Sequence, residues 1–267
     1  MPVPIALTIA GSDPSGGAGL QADLKTFHRF GVYGMSVVSV LTVQNTLGVR
    51  EVVPLEATLV ARQLKAVLYD PGAHALKTGA LGNTAILEAI APVLAQAALP
   101  LVVDPVLLSK SGQELLPSPA LEALRSCLLP LATLLTPNLL EAQALLGQPI
   151  RDLADAREAA RQLGSLGARA VLLKGGHLAG EEATDVLWDG HALYLFPARK
   201  IPSAHTHGTG CTLSAAITAL LARGIPLHEA VARAKRFVSQ AIETAPGIGQ
   251  GIGPLNHWAG EGDVDGP

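Results

Sequence analysis

Short runs of Val, Leu and Ile alternate along the chain with longer stretches in which apolar residues recur every three or four positions. PIALTIA (4–10) reads as a buried strand, and GLQADLKTFHRF (19–30) places Leu20, Leu24 and Phe27 at helical spacing. MSVVSVLTV (35–43) precedes the helical pattern TLVARQLKAVLYD (58–70), and ALKTG (75–79) precedes TAILEAIAPVLAQA (84–97). LPLVVDP (99–105) precedes PALEALRSCLLPL (119–131), and ATLLTP (132–137) precedes NLLEAQALLG (138–147). A further helix is expected over 154–167, a strand and turn over 168–176, a hairpin around Asp189-Gly190, and helices over 209–223 and 227–244. This alternation builds βαβ units, so the expected fold is α/β, a central mainly parallel sheet with helices on both faces. No stretch reads as a linker. One domain is expected over 1–255, with a tail, 256–267, expected to be flexible.

Hydrophobic residues make up 49% of the 267 residues and aromatics only 3%, so the core must be built from Ala, Leu, Val and Ile. A net charge of −3 excludes an electrostatic nucleic-acid binder but leaves room for a local anion site. Two thiols, Cys127 and Cys211, make no disulfide framework and fit a reducing compartment. The N-terminus carries no basic leader, and the apolar stretch 86–108 is broken by Glu88, Pro92, Pro100 and Asp104, so no membrane span is expected. A cytoplasmic protein is the reading.

In open α/β sheets ligands bind beyond the C-terminal strand ends. Six segments there are unusual. AGSDPSGGAGLQADLK (10–25) holds four glycines between Ala10 and Leu20, which serve close backbone approach to a ligand or a tight turn into a helix; it matches no Walker A loop. Asp23 follows near a helix start, where the dipole favours a carboxylate whatever its role. Gln44 in TVQNT (42–46) can read a donor and an acceptor on a heterocycle edge, or simply occupy a loop. Asp104 in VVDPV closes a hydrophobic strand, a place for metal or phosphate chemistry. Asn138 and Glu141 in TPNLLEA have capping-box spacing as well as a shared face. Lys174 in LLKGGH either neutralises phosphate or marks a surface turn.

The seventh segment, HTHGTGCTLSAAI (205–217), sets Cys211 at the mouth of a helix behind Gly208 and Gly210. A helix start offers unpaired N–H groups and partial positive charge, and glycines let an anion reach them. The same field is expected to lower the pKa of a thiol there, making Cys211 a proton acceptor; packing is the other reading.

Together IAGSDPSGGAGLQADLKTF, TVQNT, KTGALG, VVDPV, LTPNLLEA, LLKGGH, THGTGCTLSAAI and the tail GIGQGIGPLNH resemble, in this order, the ribokinase-like superfamily. Within it they are similar to the hydroxymethylpyrimidine/phosphomethylpyrimidine kinases of thiamine biosynthesis. The resemblance implies a single ribokinase-like sandwich that uses ATP and Mg to phosphorylate 4-amino-5-hydroxymethyl-2-methylpyrimidine and then its monophosphate, as a homodimer. It implies that Asp23 and Gln44 hold the pyrimidine with backbone help from Gly11 and Ala18, and that Gly208, Gly210 and Cys211 form the anion hole. It gives Asn138, Glu141 and Asp104 to magnesium and phosphate, and Lys174, with Lys235 as a further candidate, to phosphate charge. Two departures stand out: Ala80 where Met is common, and Cys211 where many superfamily kinases carry Asp. The rival readings are a pyridoxine or pyridoxal kinase on the same scaffold and a non-catalytic pyrimidine-binding regulator.

Overall fold

The computed structural model describes residues 3–109, 112–178 and 180–260. Its strands are β1 (Ile5–Ser12), β2 (Tyr33–Asn45), β3 (Gly48–Pro54), β4 (Ala75–Thr78), β5 (Leu101–Val103), β6 (Leu134–Leu135), β7 (Val171–Leu173), β8 (Asp185–Trp188) and β9 (Leu193–Phe196). Among the described residues they form one sheet in the order β3-β2-β1-β4-β5-β6-β7-β8-β9. The centre, from β2 to β7, is parallel, and the edges pair antiparallel through β2–β3, β7–β8 and β8–β9.

Strand alternation sorts the helices onto two faces. Leu7, Ile9, Leu76, Val103, Leu135 and Leu173 pack with α2 (Ala57–Tyr69), α3 (Thr84–Ala97), α4 (Ala120–Ala123), α5 (Leu139–Leu146) and α6 (Leu153–Gly164). Their neighbours Ala6, Val102, Leu134 and Leu172 face α1 (Gly19–Arg29), α7 (Thr209–Ala222) and α8 (Leu227–Glu243). Helix α7 is buried continuously from Thr212 to Leu220, as expected of a helix apolar on all sides. Its small residues Ala215, Ala216 and Ala219 let it lie against β1, β4 and β5.

Three details differ from the sequence expectation. The stretch 119–131 is not one regular helix: α4 widens into a π-type turn at Leu124–Leu128 and then tightens at Leu129–Leu131. Pro130 explains this, since it cannot donate to the carbonyl four residues back. Strand β3 was not anticipated, because its residues are largely open to solvent and carry no apolar run. Finally, residues 256–260 of the expected flexible tail are packed: Asn256 N donates to Ala241 O, Arg29 Nε donates to Ala259 O, and Ala259 is buried. Residues 261–267 lie outside the described residues.

Candidate active site

Parallel strands bring their C-terminal ends to one side of the sheet, and a cavity of about 850 Å³ opens there. Gly11, Gln44, Asp104, Asn138, Glu141, Lys174, Lys235, Gly208, Gly210 and Cys211 all line it, with Ala18 and Ala80. Residues read from segments more than 200 positions apart thus line one cavity.

The floor is the start of α7. Gly208 caps that helix with φ 80°, and a Cβ there would lie 1.9 Å from Gly17 O, so only glycine fits. Gly208, Thr209, Gly210 and Cys211 line the cavity; Thr209 N donates to Thr206 O at 3.4 Å, and the first-turn N–H groups have no acceptor within the helix. At Gly210 an added Cβ would meet Lys174 Nζ at 3.1 Å, which places that ammonium directly over the helix mouth. Lys174 Nζ lies 3.1 Å from Asp104 Oδ1 and 4.0 Å from Glu141 Oε2. Burial alone would lower the lysine's pKa, but the two carboxylates raise it, so it stays charged.

Asn138 and Glu141 do form a capping box: Glu141 N donates to Asn138 Oδ1 at 2.9 Å and Asn138 N to Glu141 Oε2 at 2.7 Å. The box and a place in the cavity are compatible. Burial lifts the Glu141 carboxyl to about 7, Lys174 opposing and Asp104 adding to the rise.

Several sequence assignments change on geometry. Asp23 does not line the cavity. It is fully buried behind the wall, where its Oδ2 accepts from Lys77 Nζ at 2.9 Å and from Thr8 Oγ1 at 2.6 Å. Asp104 was given to magnesium, yet its oxygens are engaged by Lys174, by Thr136 Oγ1 at 3.3 Å and by Ser214 Oγ at 3.1 Å, so it anchors Lys174. The Ala18 N–H is already donated to Asp13 Oδ2 at 2.8 Å, leaving its methyl group for a ligand. Lys235 Nζ pairs with Asp185 Oδ2 at 2.7 Å and donates to Ala183 O, which ties its charge down. Gln44 sits where β2 bulges against β3, at the cavity rim.

Cys211 reverses an expectation. It is partly open to the cavity, but burial pushes its thiol up to about 11, and the nearby Lys77 and the Gly19 N–H recover only part of that. Desolvation therefore outweighs the helix-start field, and the group is a thiol near neutral pH. Peptide-resolved iodoacetamide labelling should rise about tenfold per pH unit from pH 7 to 10, since only the thiolate reacts. A plateau reached below pH 8 would contradict this.

Sequence reasoning missed Asp13, Lys77 and His207. Lys77 had a signal, a charge inside an otherwise apolar strand. Asp13 and His207 had none, because their meaning lies in each other: His207 Nε2 is 2.9 Å from Asp13 Oδ2.

The fold and a glycine-lipped helix mouth beneath a charged lysine define a ribokinase-like phosphotransferase. The comparisons narrow this. The family model described as phosphomethylpyrimidine kinase matches residues 13–256, so the chain belongs to that family. A hydroxymethylpyrimidine/phosphomethylpyrimidine kinase of Synechococcus elongatus is 48% identical, over 97% of this chain and 98% of its own. The solved phosphomethylpyrimidine kinase of Clostridium difficile 630 is 42% identical, with a TM-score of 0.79 over 89% of this chain and 99% of its own. The pyridoxal kinase of Staphylococcus aureus in complex with AMP-PCP and pyridoxal is 36% identical, with a TM-score of 0.89 over 97% of this chain and 95% of its own. No helix among the described residues is long and apolar enough to cross a membrane.

Proposed function

We propose that the chain transfers the γ-phosphoryl group of ATP to the hydroxymethyl oxygen of 4-amino-5-hydroxymethyl-2-methylpyrimidine, and then phosphorylates the monophosphate, in cytoplasmic thiamine biosynthesis. The observation that carries this reading is the placing of Lys174 over the first turn of α7, within a cavity that Gln44 also lines. Phosphoryl transfer asks a protein mainly for positioning and for charge stabilisation. The N–H groups of Gly208, Gly210 and Cys211 supply the second for the transferring group, and Lys174 adds a full charge. Gln44 reads the heterocycle edge, with Gly11, Ala18 and Ala80 shaping the pocket. Asp23 acts from behind the wall by holding Lys77. Asn138, with Lys235 nearby, faces the nucleotide phosphates. Cys211 is a neutral thiol beside the acceptor alcohol in the resting enzyme.

The residues also fit magnesium carried by the nucleotide. Among the described residues no three His, Cys, Asp or Glu side chains group to hold a metal. Mg²⁺ on a nucleotide needs only one or two carboxylates besides phosphate and water. Glu141, held near 7 by burial, gains a counter-charge when a cation arrives. Bound magnesium would neutralise phosphate charge. A homodimer is part of the proposal, supported by the exposed Leu41, Val43, Leu47 and Val53 on the β2–β3 hairpin.

A substrate panel with Mg-ATP tests the reading against the pyridoxal alternative. A site matched to an exocyclic amine leaves polar groups unpaired on a vitamin B6 ring. The pyrimidine should show kcat/KM about 10-fold or more above pyridoxine and pyridoxal. Equal or reversed values would move the chain to the pyridoxal kinase reading, and ATP turnover with neither would favour no small-molecule acceptor of this class.

A further inference from the structure

The glycine loop and the start of α7 come from opposite ends of the chain, and one contact, between His207 Nε2 and Asp13 Oδ2, joins them. Asp13 is buried, and each of its oxygens is committed. Oδ1 accepts from Ser15 N at 2.8 Å and Ser15 Oγ at 2.7 Å; Oδ2 accepts from Gly17 N at 3.0 Å and Ala18 N at 2.8 Å. The carboxylate thereby organises the loop 13–18. Oδ2 also meets His207 Nε2 at 2.9 Å, one residue before the helix cap at Gly208. Burial would raise the carboxyl's pKa, but the hydrogen bonds from His207 and Ser15 overcome it and hold Asp13 at about 2. It is therefore ionised at any working pH.

The contact is close on both sides. A Cβ on Gly17 would lie 2.6 Å from His207 Cδ2 and 3.2 Å from Pro254 Cβ. A Cβ on Gly208 would strike Gly17 O. The backbone of His207 is fixed in turn, since its N–H donates to Gly253 O at 3.0 Å. Loop, imidazole and tail are stacked without a spare methyl group between them.

We infer that His207 is a positioning residue for phosphoryl transfer: acting through Asp13, it locks the loop 13–18 onto the first turn of α7 and so fixes the acceptor alcohol relative to the anion hole. The inference rests on the kinase reading above. Asp13, Ala18, Lys174 and Asn138 all line the cavity; on the kinase reading the loop 13–18 serves the acceptor and Lys174 and Asn138 the nucleotide. Loosening the lock should therefore spoil the alignment of the acceptor and leave nucleotide binding alone. A misplacement of about 1 Å at a reacting centre costs on the order of 10²-fold in rate.

The test is steady-state kinetics of His207→Ala and His207→Gln beside the unaltered enzyme, with pyrimidine and Mg-ATP varied separately. His207→Ala should lose kcat by about 10²-fold and leave KM for Mg-ATP within about twofold. His207→Gln keeps an N–H donor for Asp13 and should recover most of that loss. Gly17→Ala, which pushes on the ring while leaving both partners in place, should show the same split, and it decides the matter should His207→Ala fail to fold. The inference is overturned by a His207→Ala enzyme with near-normal kcat, by a His207→Gln that rescues nothing, or by KM for Mg-ATP moving in step with kcat. Unaltered enzyme that turns over none of the pyrimidine would instead sink the kinase reading, so the two failures are distinct.

Discussion

Lys77→Met is expected to lower the stability of the fold by about 3–5 kcal/mol, the cost of leaving one member of a buried ion pair alone. Lys77 and Asp23 are both fully buried between the sheet and the layer of α1 and α7. Asp23 Oδ2 takes the lysine at 2.9 Å and Thr8 Oγ1 at 2.6 Å, while its Oδ1 has no partner among the described residues. Burial by itself lowers the lysine's pKa, but the carboxylates of Asp23 and Asp104 act the other way and the pKa is raised. The sign for pH follows. A lysine whose folded pKa lies above its unfolded value contributes stability that is fully present below about 10.4 and is lost as pH climbs through the folded value. Urea unfolding at pH 7 should show the loss, and Lys77→Met/Asp23→Asn should recover part of it, because the second change removes the stranded charge. A single Lys77→Met within about 1 kcal/mol of the parent would contradict an ion pair at this place.

Gly208→Ala should abolish most turnover, with kcat down by at least about 10²-fold. The backbone at Gly208 is left-handed, and the added methyl carbon would lie 1.9 Å from Gly17 O. A side chain in that conformation costs about 1–2 kcal/mol, and the clash must also push the helix start or the loop away. Gly224→Ala separates the two contributions. Gly224 ends the same helix with φ 76°, and nothing lies within 4 Å of an added Cβ. That variant should lose comparable backbone stability with kcat unchanged. Matching kinetics for the two variants would show that the helix mouth needs no close approach.

The parallel sheet was legible because its strands are buried on both faces and read as continuous apolar runs. Strand β3 was not, since an edge strand with both faces partly in water has no such run. The helix mouth at 208–211 was legible from two glycines before an apolar helix, a purely local pattern. Asp23 shows the limit of local reasoning. The resemblance gave it a binding role, and its position near a helix start suits a carboxylate whatever its role; the decisive neighbour, Lys77, lies 54 residues away and holds it behind the cavity wall. Cys211 shows another limit: the helix field is visible in sequence, but the desolvation that overrides it depends on packing from other elements. The lock between Asp13 and His207 spans 194 residues, and each partner alone is an unremarkable polar residue in a turn.

The fate of the phosphoryl group decides whether the helix mouth serves the pyrimidine alcohol. Enzyme incubated with Mg-ATP and 4-amino-5-hydroxymethyl-2-methylpyrimidine should yield, by mass spectrometry, first the pyrimidine monophosphate and then the diphosphate, with one ADP released for each phosphoryl group found on the pyrimidine. ADP formed while the pyrimidine stays unmodified would contradict the account, because the helix mouth would then be passing phosphate to water and not to the alcohol that the cavity is built to hold.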